Sequence, residues 1–184
     1  MKTAIIYTSK TGFTERYAKW LAESLEGDLF KLKEVQKKDA GFFAGYDAII
    51  YAGWCMAGKV VKANWFLEKA SGWKDKGLAI VAVGASPNEH PEVQVALHNL
   101  LTDEQRTYIR AFYCQGGINY DKMGAPSRFA MKAFAKSLDK KDATPDEKRM
   151  AEMISHSYDI ADKKYIEPVV EYLDSAIVAR KTTA

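Results

Sequence analysis

Short apolar runs alternate with segments of helical periodicity along most of this chain, and that alternation limits the fold more than any other feature. Gly77 to Val83 read Gly-Leu-Ala-Ile-Val-Ala-Val and stop at Gly84-Ala85-Ser86-Pro87. A strand this apolar needs cover on both faces, which crossover helices give to a parallel sheet. Further strands are expected at Lys2–Tyr7, Leu29–Lys33, Asp47–Ala52 (ending at Gly53) and Tyr108–Cys114. Between them, Phe13, Tyr17, Leu21 and Leu25 recur at four-residue spacing, which predicts a helix to about Glu26 with Gly27 as its C-cap. Ala63, Phe66, Leu67 and Ala70 predict a second helix, residues Pro91 to Leu101 a third, and Ala161 to Ala179 a last one with Tyr165, Val169, Tyr172, Leu173 and Ala176 inward. The segment Gly41 to Gly45 reads as loop. This order predicts an α/β fold with a doubly wound, five-stranded parallel sheet in the order 2-1-3-4-5.

At 184 residues the chain is long enough for one domain with a sheet covered on both sides, and residues 1–184 are read as that domain. No apolar stretch approaches the roughly 20 residues that span a bilayer, and Met1-Lys2-Thr3-Ala4 leads directly into a strand without a signal-peptide pattern. A cytoplasmic address is expected. The net charge of +3 comes from basic residues interleaved with acidic ones, so nucleic acid is not an expected partner. Cys55 and Cys114 form no Cys-x-x-Cys pair, and His90, His98 and His156 have no metal-ligand spacing, so no metal is expected. Both cysteines fall just after expected strands. They read either as buried small hydrophobes or as reactive thiols near a ligand.

The turn after the first strand carries the chemistry. Tyr7-Thr8-Ser9-Lys10-Thr11-Gly12-Phe13-Thr14 holds five hydroxyl-bearing residues in eight, with one Gly where the chain must turn into a helix. Hydroxyls and the free N–H groups of a helix start suit a phosphate monoester, which also meets the positive end of the helix dipole. A plain N-cap needs one hydroxyl; here Ser9, Thr11 and Thr14 cluster. The loop lacks the Gly-Lys-Ser/Thr of a Walker loop and the three spaced glycines of a dinucleotide site. A hydroxyl-rich, Gly-poor cradle suits a terminal phosphate, and so a mononucleotide. In an open α/β sheet, the other walls would come from the neighbouring strand ends: Gly53-Trp54-Cys55-Met56-Ala57-Gly58-Lys59 and Gly84-Ala85-Ser86-Pro87-Asn88. Trp54 and Met56 read as packing for a flat ring or as core. Ser86 reads as a ring-edge partner or as a turn residue beside Pro87.

One segment exceeds the minimal fold. Gly117 to Asp159 is too long for a structureless connection. Within it Phe129, Met131, Phe134 and Leu138, with Arg128, Lys132, Lys136 and Lys140, predict an inserted basic amphipathic helix over Ser127–Leu138.

The pattern Ser9-x-Thr11-Gly12-x-Thr14 resembles the phosphate loop of flavodoxins, and the resemblance implies FMN and a flavodoxin-like fold. Gly116-Gly117-Ile118-Asn119-Tyr120 and Phe129-Ala130-Met131-Lys132 resemble the flavodoxin-type, menaquinone-dependent protoporphyrinogen oxidases and their relatives. By that resemblance Ser9, Lys10, Thr11, Gly12, Phe13 and Thr14 hold the FMN phosphate, while Trp54, Cys55, Met56, Ala57, Gly58, Ala85 and Ser86 flank the ring. An FMN-dependent oxidoreductase, with a porphyrinogen or quinone as substrate or acceptor, is the expectation. A flavodoxin-type electron carrier with no substrate of its own is the competing reading. For the lysine stripe a solvated face competes with contact at an anionic surface, which would place the protein peripherally at the inner membrane.

Overall fold

The structure, a computed structural model, describes the backbone of residues 1–183 and the side chains of residues 1–176. Strands β1 (Thr3–Thr8), β2 (Asp28–Lys31), β3 (Ala48–Met56), β4 (Lys59–Val60), β5 (Gly77–Gly84) and β6 (Ile109–Gln115) form one sheet. Its order is β2-β1-β3-β5-β6, all parallel, with β4 added antiparallel to the end of β3. Setting β4 aside, this is the doubly wound order expected from the sequence. All eight residues of β5 are buried, as its unbroken apolar composition requires.

Helix α1 (Phe13–Leu25) lies on one face of the sheet, with Tyr17, Ala18 and Leu21 fully buried. On the other face are the short helices α2 (Leu32–Val35) and α3 (Ala40–Ala44), then α4 (Ala63–Ala70), which ends in the 3-10 turn Ser71–Trp73. Helix α5 (Pro91–Leu100) packs Leu97 and Leu100 there too, and α6 (Asp103–Arg106) leads into β6. Phe43, Phe66 and Trp73 form the aromatic centre of that layer. The Tyr17 hydroxyl donates to the Gln115 carbonyl at 2.6 Å and accepts from the Asp162 N–H at 3.1 Å, tying α1 to the end of β6 and to the lead-in of the last helix. Burial holds that phenol well above its ordinary range, so it stays a neutral donor.

Four local expectations need correction. The left-handed residue closing α1 is Glu26 (φ 48°), not Gly27. Gly27 is there because a Cβ would lie 2.4 Å from Ile5 Cδ1. The second strand stops at Lys31, where Leu32 and Val35 turn helical to bury against the sheet. Residues 40–44 are helical rather than loop, capped by Asp39 accepting from the Phe42 N–H. The third strand runs past Gly53 to Met56, because β4 folds back to pair with it.

The insertion holds more than the one expected helix. A two-residue strand β7 (Gly117–Ile118) pairs antiparallel with β8 (Tyr158–Asp159), closing a loop that contains α7 (Ala125–Leu138) and α8 (Pro145–Ile154). Ile118, Tyr120, Ala135 and Ile154 form a small core there, with Met131, Leu138, Met150 and Met153 packed against it. The basic stripe of α7 is partly engaged: Arg128 donates to the Tyr120 carbonyl at 2.6 Å and Lys132 Nζ lies 5.9 Å from the Tyr120 ring centre. Phe129 is 77% exposed on the same helix. After β8, the 3-10 turn Lys163–Ile166 leads into α9 (Glu167–Thr183), whose Val169 and Leu173 are fully buried beside α1. Among the described residues no helix is long and apolar enough to cross a membrane.

Candidate functional site

The sheet order reverses between β1 and β3, and the loops beyond the carboxyl ends of β1, β3 and β5 meet there. The first is the hydroxyl-rich turn. Gly12 begins α1 at φ 104°, a left-handed conformation that a β-carbon disfavours. The Ser9 hydroxyl accepts from the Gly12 N–H at 3.2 Å and so shapes the turn. Gly12 has no side chain with which to cap α1, and among the described residues the Ser9 hydroxyl is the side chain bonded at this helix start. Of the three clustered hydroxyls, Ser9 makes this cap-like bond, so a plain cap accounts for one of them. The helix start is left with its donors and its dipole facing outward. Thr14 is buried and Thr11 half-buried, and both line the adjoining cavity.

Two ammonium groups flank this turn. Lys10 Nζ donates to the Ser127 hydroxyl of α7 and lies 5.4 Å from the Trp54 ring centre. Lys122 Nζ lies 3.6 Å from where a β-carbon on Gly12 would sit. Sequence reading missed Lys122, since only the folding back of the insertion places it beside a turn far away in the chain.

The second wall is a β-hairpin, not the Gly-rich loop expected. Cys55 pairs with Val60 and Met56 with Lys59, joined by Ala57 (φ 48°) and Gly58 (φ 72°). Two successive positive φ angles are the geometry of a tight two-residue turn whose twist matches the strands. The hairpin aims Trp54, Cys55 and Met56 past the sheet edge. Burial pushes the Cys55 thiol up to about 12, and raises that of the fully buried Cys114, whose sulfur donates to the Tyr165 carbonyl at 3.4 Å. The thiolate is the nucleophile, so both cysteines are inert thiols at neutral pH. Carboxamidomethylation of Cys55 in the native protein at pH 8 is expected to run at least tenfold slower than in urea. It should still be rising at pH 10, where a free cysteine has levelled. Mass spectrometry of timed samples checks this, and equal native and unfolded rates would contradict it.

The third wall is the turn after β5. The Tyr158 hydroxyl donates to the Ala85 carbonyl and that of Tyr113 to the Ser86 carbonyl, each at 2.8 Å. Asn88 exchanges backbone and side-chain hydrogen bonds with Gln115. Ser86 thus sits in a turn braced from β6 and β8. Burial pushes the Tyr158 phenol up to about 12 and raises that of Tyr113, so both remain protonated donors.

These walls enclose two adjoining cavities. The larger, of about 490 Å³, is lined by Lys10, Thr11, Phe13 and Thr14 of the turn, by Trp54, Cys55, Met56 and Ala57, and by Ala85. Its remaining side is the insertion: Ile118, Met123, Ser127, Ala130, Met131 and Phe134. Ser9 and Gly12 stand behind this lining and shape it. Gly58 and Ser86 face instead the second cavity, of about 300 Å³, which lies between α5, the hairpin and the insertion. The insertion is held down by Lys10 to Ser127, by Tyr158 to Ala85, and by Arg16 donating to Asp159 at 2.6 Å. The Arg16 guanidinium keeps the Asp159 carboxyl below its usual range. His90 caps α5 by accepting from the Glu92 N–H at 3.3 Å, which accounts for it structurally.

The sequence profile described as the flavodoxin domain matches residues 4–145 of this chain. Similar solved structures include a WrbA-like flavodoxin protein from Agrobacterium tumefaciens, 21% identical over 69% of this chain and 87% of its own, with a TM-score of 0.48. Another is rubredoxin oxygen:oxidoreductase from Desulfovibrio gigas, 14% identical over 97% of this chain and 36% of its own, TM-score 0.48. A third is the Trp repressor binding protein from Bacillus subtilis, 11% identical over 71% and 95%, TM-score 0.47. Likenesses this remote carry no functional argument. No curated protein matches the chain at a significant level.

Proposed function

The chain belongs to the flavodoxin-domain family, and we propose that it binds FMN and acts as an FMN-dependent oxidoreductase on a small molecule. The observation that carries the first half is the start of α1: opened by a left-handed Gly12, bonded by the single Ser9 hydroxyl, and facing a 490 Å³ cavity whose far walls are apolar. That is the donor set a phosphate monoester needs, joined to space for a flat ring. Ser9, Lys10, Thr11, Gly12, Phe13 and Thr14 would hold the phosphate. Trp54, Cys55, Met56, Ala57 and Ala85 would border the ring, while Gly58 and Ser86, expected there from the sequence, face the adjoining cavity. Bound there, FMN supplies hydride or single-electron chemistry, and no general-base histidine is required. The chain's own part is to orient through the hairpin and the braced turn, and to exclude water with Met123, Met131 and Phe134.

The same insertion favours an enzyme over a carrier. A carrier passes electrons through an edge left open to its partner, whereas here α7 walls the cavity and a second cavity adjoins it. The quinone and porphyrinogen suggested by resemblance are narrowed below.

The test is an absorbance spectrum of the purified protein with chromatographic identification of released flavin, followed by titration of the apoprotein with FMN. Thr11→Val with Thr14→Val keeps the side-chain volumes and removes both hydroxyls. It is expected to weaken FMN at least tenfold while leaving the circular dichroism unchanged, each lost charge-assisted bond being worth about 1.5–3 kcal/mol. Colourless protein that ignores added FMN would remove the proposal.

A further inference from the structure

The chain has six methionines, and every one except Met1 lines the two cavities. Met56 and Met123 face the larger, Met150 and Met153 the smaller, and Met131 faces both. Such convergence from a hairpin, a loop and two helices is not demanded by the sheet, whose core is built of Ile, Val, Leu, Ala and aromatics. We propose that the 300 Å³ cavity is a second ligand site, taking an uncharged aromatic compound of one or two fused rings. The assignment of that compound as the flavin's neighbour rests on the FMN reading above.

Position, size and charge each bear on the class. The two cavities share Ala57, Gly84, Ala85, Ile118, Met131 and Phe134 as well as Cys55, so an occupant of the smaller one abuts whatever fills the larger. An apolar cavity of about 150 Å³ holds benzene, so one of 300 Å³ suits two fused rings. A tetrapyrrole would need about 600 Å³ on that scale, which sets the porphyrinogen suggested by resemblance outside this chamber.

Charge decides further. Among the described residues no Lys or Arg lines the cavity, and the carboxylate of Glu92 is exposed at the rim. The Tyr113 and Tyr158 hydroxyls are committed to main-chain carbonyls. An anionic ligand would lose hydration with nothing to replace it and would meet Glu92 on entry. A neutral ring instead gains sulfur–aromatic contacts with Met131, Met150 and Met153. The unbranched thioethers can also repack around different ring substituents, so the site is tolerant of shape and strict about charge.

The test uses the full chain labelled with 13C-methyl methionine, in saturating FMN, titrated with 2-naphthol and separately with 2-naphthoate. 2-Naphthol is expected to shift the Met150 and Met153 methyl resonances saturably, and 2-naphthoate to bind at least tenfold more weakly. Ala96→Phe, which fills the chamber from α5, should abolish the shifts while FMN affinity, read by flavin fluorescence, stays unchanged. Glu92→Lys lies at an exposed position and does not depend on the core tolerating a larger residue. It should bring 2-naphthoate to within about threefold of 2-naphthol, since an added cation at the rim offsets the ligand's charge. Equal affinity for the two naphthalenes in the native chain would overturn the proposal. So would shifts confined to Met56 and Met123, or none at millimolar 2-naphthol. If FMN fails to bind but 2-naphthol still shifts Met150 and Met153, the FMN reading falls and the chamber stands. FMN bound with no naphthol response sinks the chamber alone.

Discussion

Alanine at position 117 is expected to cost about 3 kcal/mol of stability and to unseat the insertion from the cavities it walls. Gly117 has φ 154°, and a β-carbon there would lie 2.1 Å from the Tyr158 carbonyl oxygen and 2.9 Å from Phe13 Cζ. The first obstacle is backbone of the paired strand and cannot swing aside. Relief requires β7 and β8 to part, since Ile118 pairs with Tyr158 and Gly117 with Asp159. Parting them breaks the Tyr158 bond to Ala85 and the Arg16 bond to Asp159, and pulls Ile118 from the core it shares with Tyr120, Ala135 and Ile154. Overpacking and backbone strain each cost roughly 1–3 kcal/mol. Urea unfolding should show a lower midpoint, and limited proteolysis should cut between residues 119 and 157 before the sheet is attacked. An unchanged midpoint with an uncut insertion would show that the ribbon is not what holds α7 and α8 in place.

How much of this was legible follows from how local each signal is. The inner strands were readable because a strand covered on both faces must be apolar along its length, as β5 is; the outer β2 and β6 carry exposed polar residues and gave weaker boundaries. The hydroxyl-rich turn was readable as a strand-to-helix turn because its hydroxyls and its Gly lie within six residues at one helix start. The hairpin was not. In the sequence Gly53 marks a strand end, which places Trp54-Cys55-Met56 beyond the sheet, and nothing in Ala57-Gly58 signals the left-handed angle of Ala57. Helix α8 had a signal that went unused: Thr144 and Glu147 form a reciprocal capping box. The β7–β8 ribbon had none, because two-residue strands separated by the whole insertion carry no periodicity. Lys122 and the five convergent methionines belong to the same category. Each is an ordinary residue in its own segment, and only the closed insertion brings them to one place.

The second large effect concerns the turn that the proposed cofactor depends on. Gly12→Val is expected to weaken FMN about a hundredfold and riboflavin by no more than about threefold. A β-branched residue resists φ 104°, so the first turn of α1 must rotate out of that angle, and the N–H groups of Phe13 and Thr14 lose their common aim. Only the phosphate feels that loss. One or two charge-assisted hydrogen bonds at about 1.5–3 kcal/mol each correspond to a hundredfold or so. Riboflavin carries the same ring without the phosphate and, on the proposed binding mode, would still meet Trp54, Met56 and the wall of α7. Titrations followed by flavin fluorescence give both affinities on one preparation. Parallel weakening of the two ligands would mean that the substitution damages the cavity as a whole. No weakening of either would mean that the phosphate is gripped elsewhere, and that the start of α1 faces the cavity for some other reason.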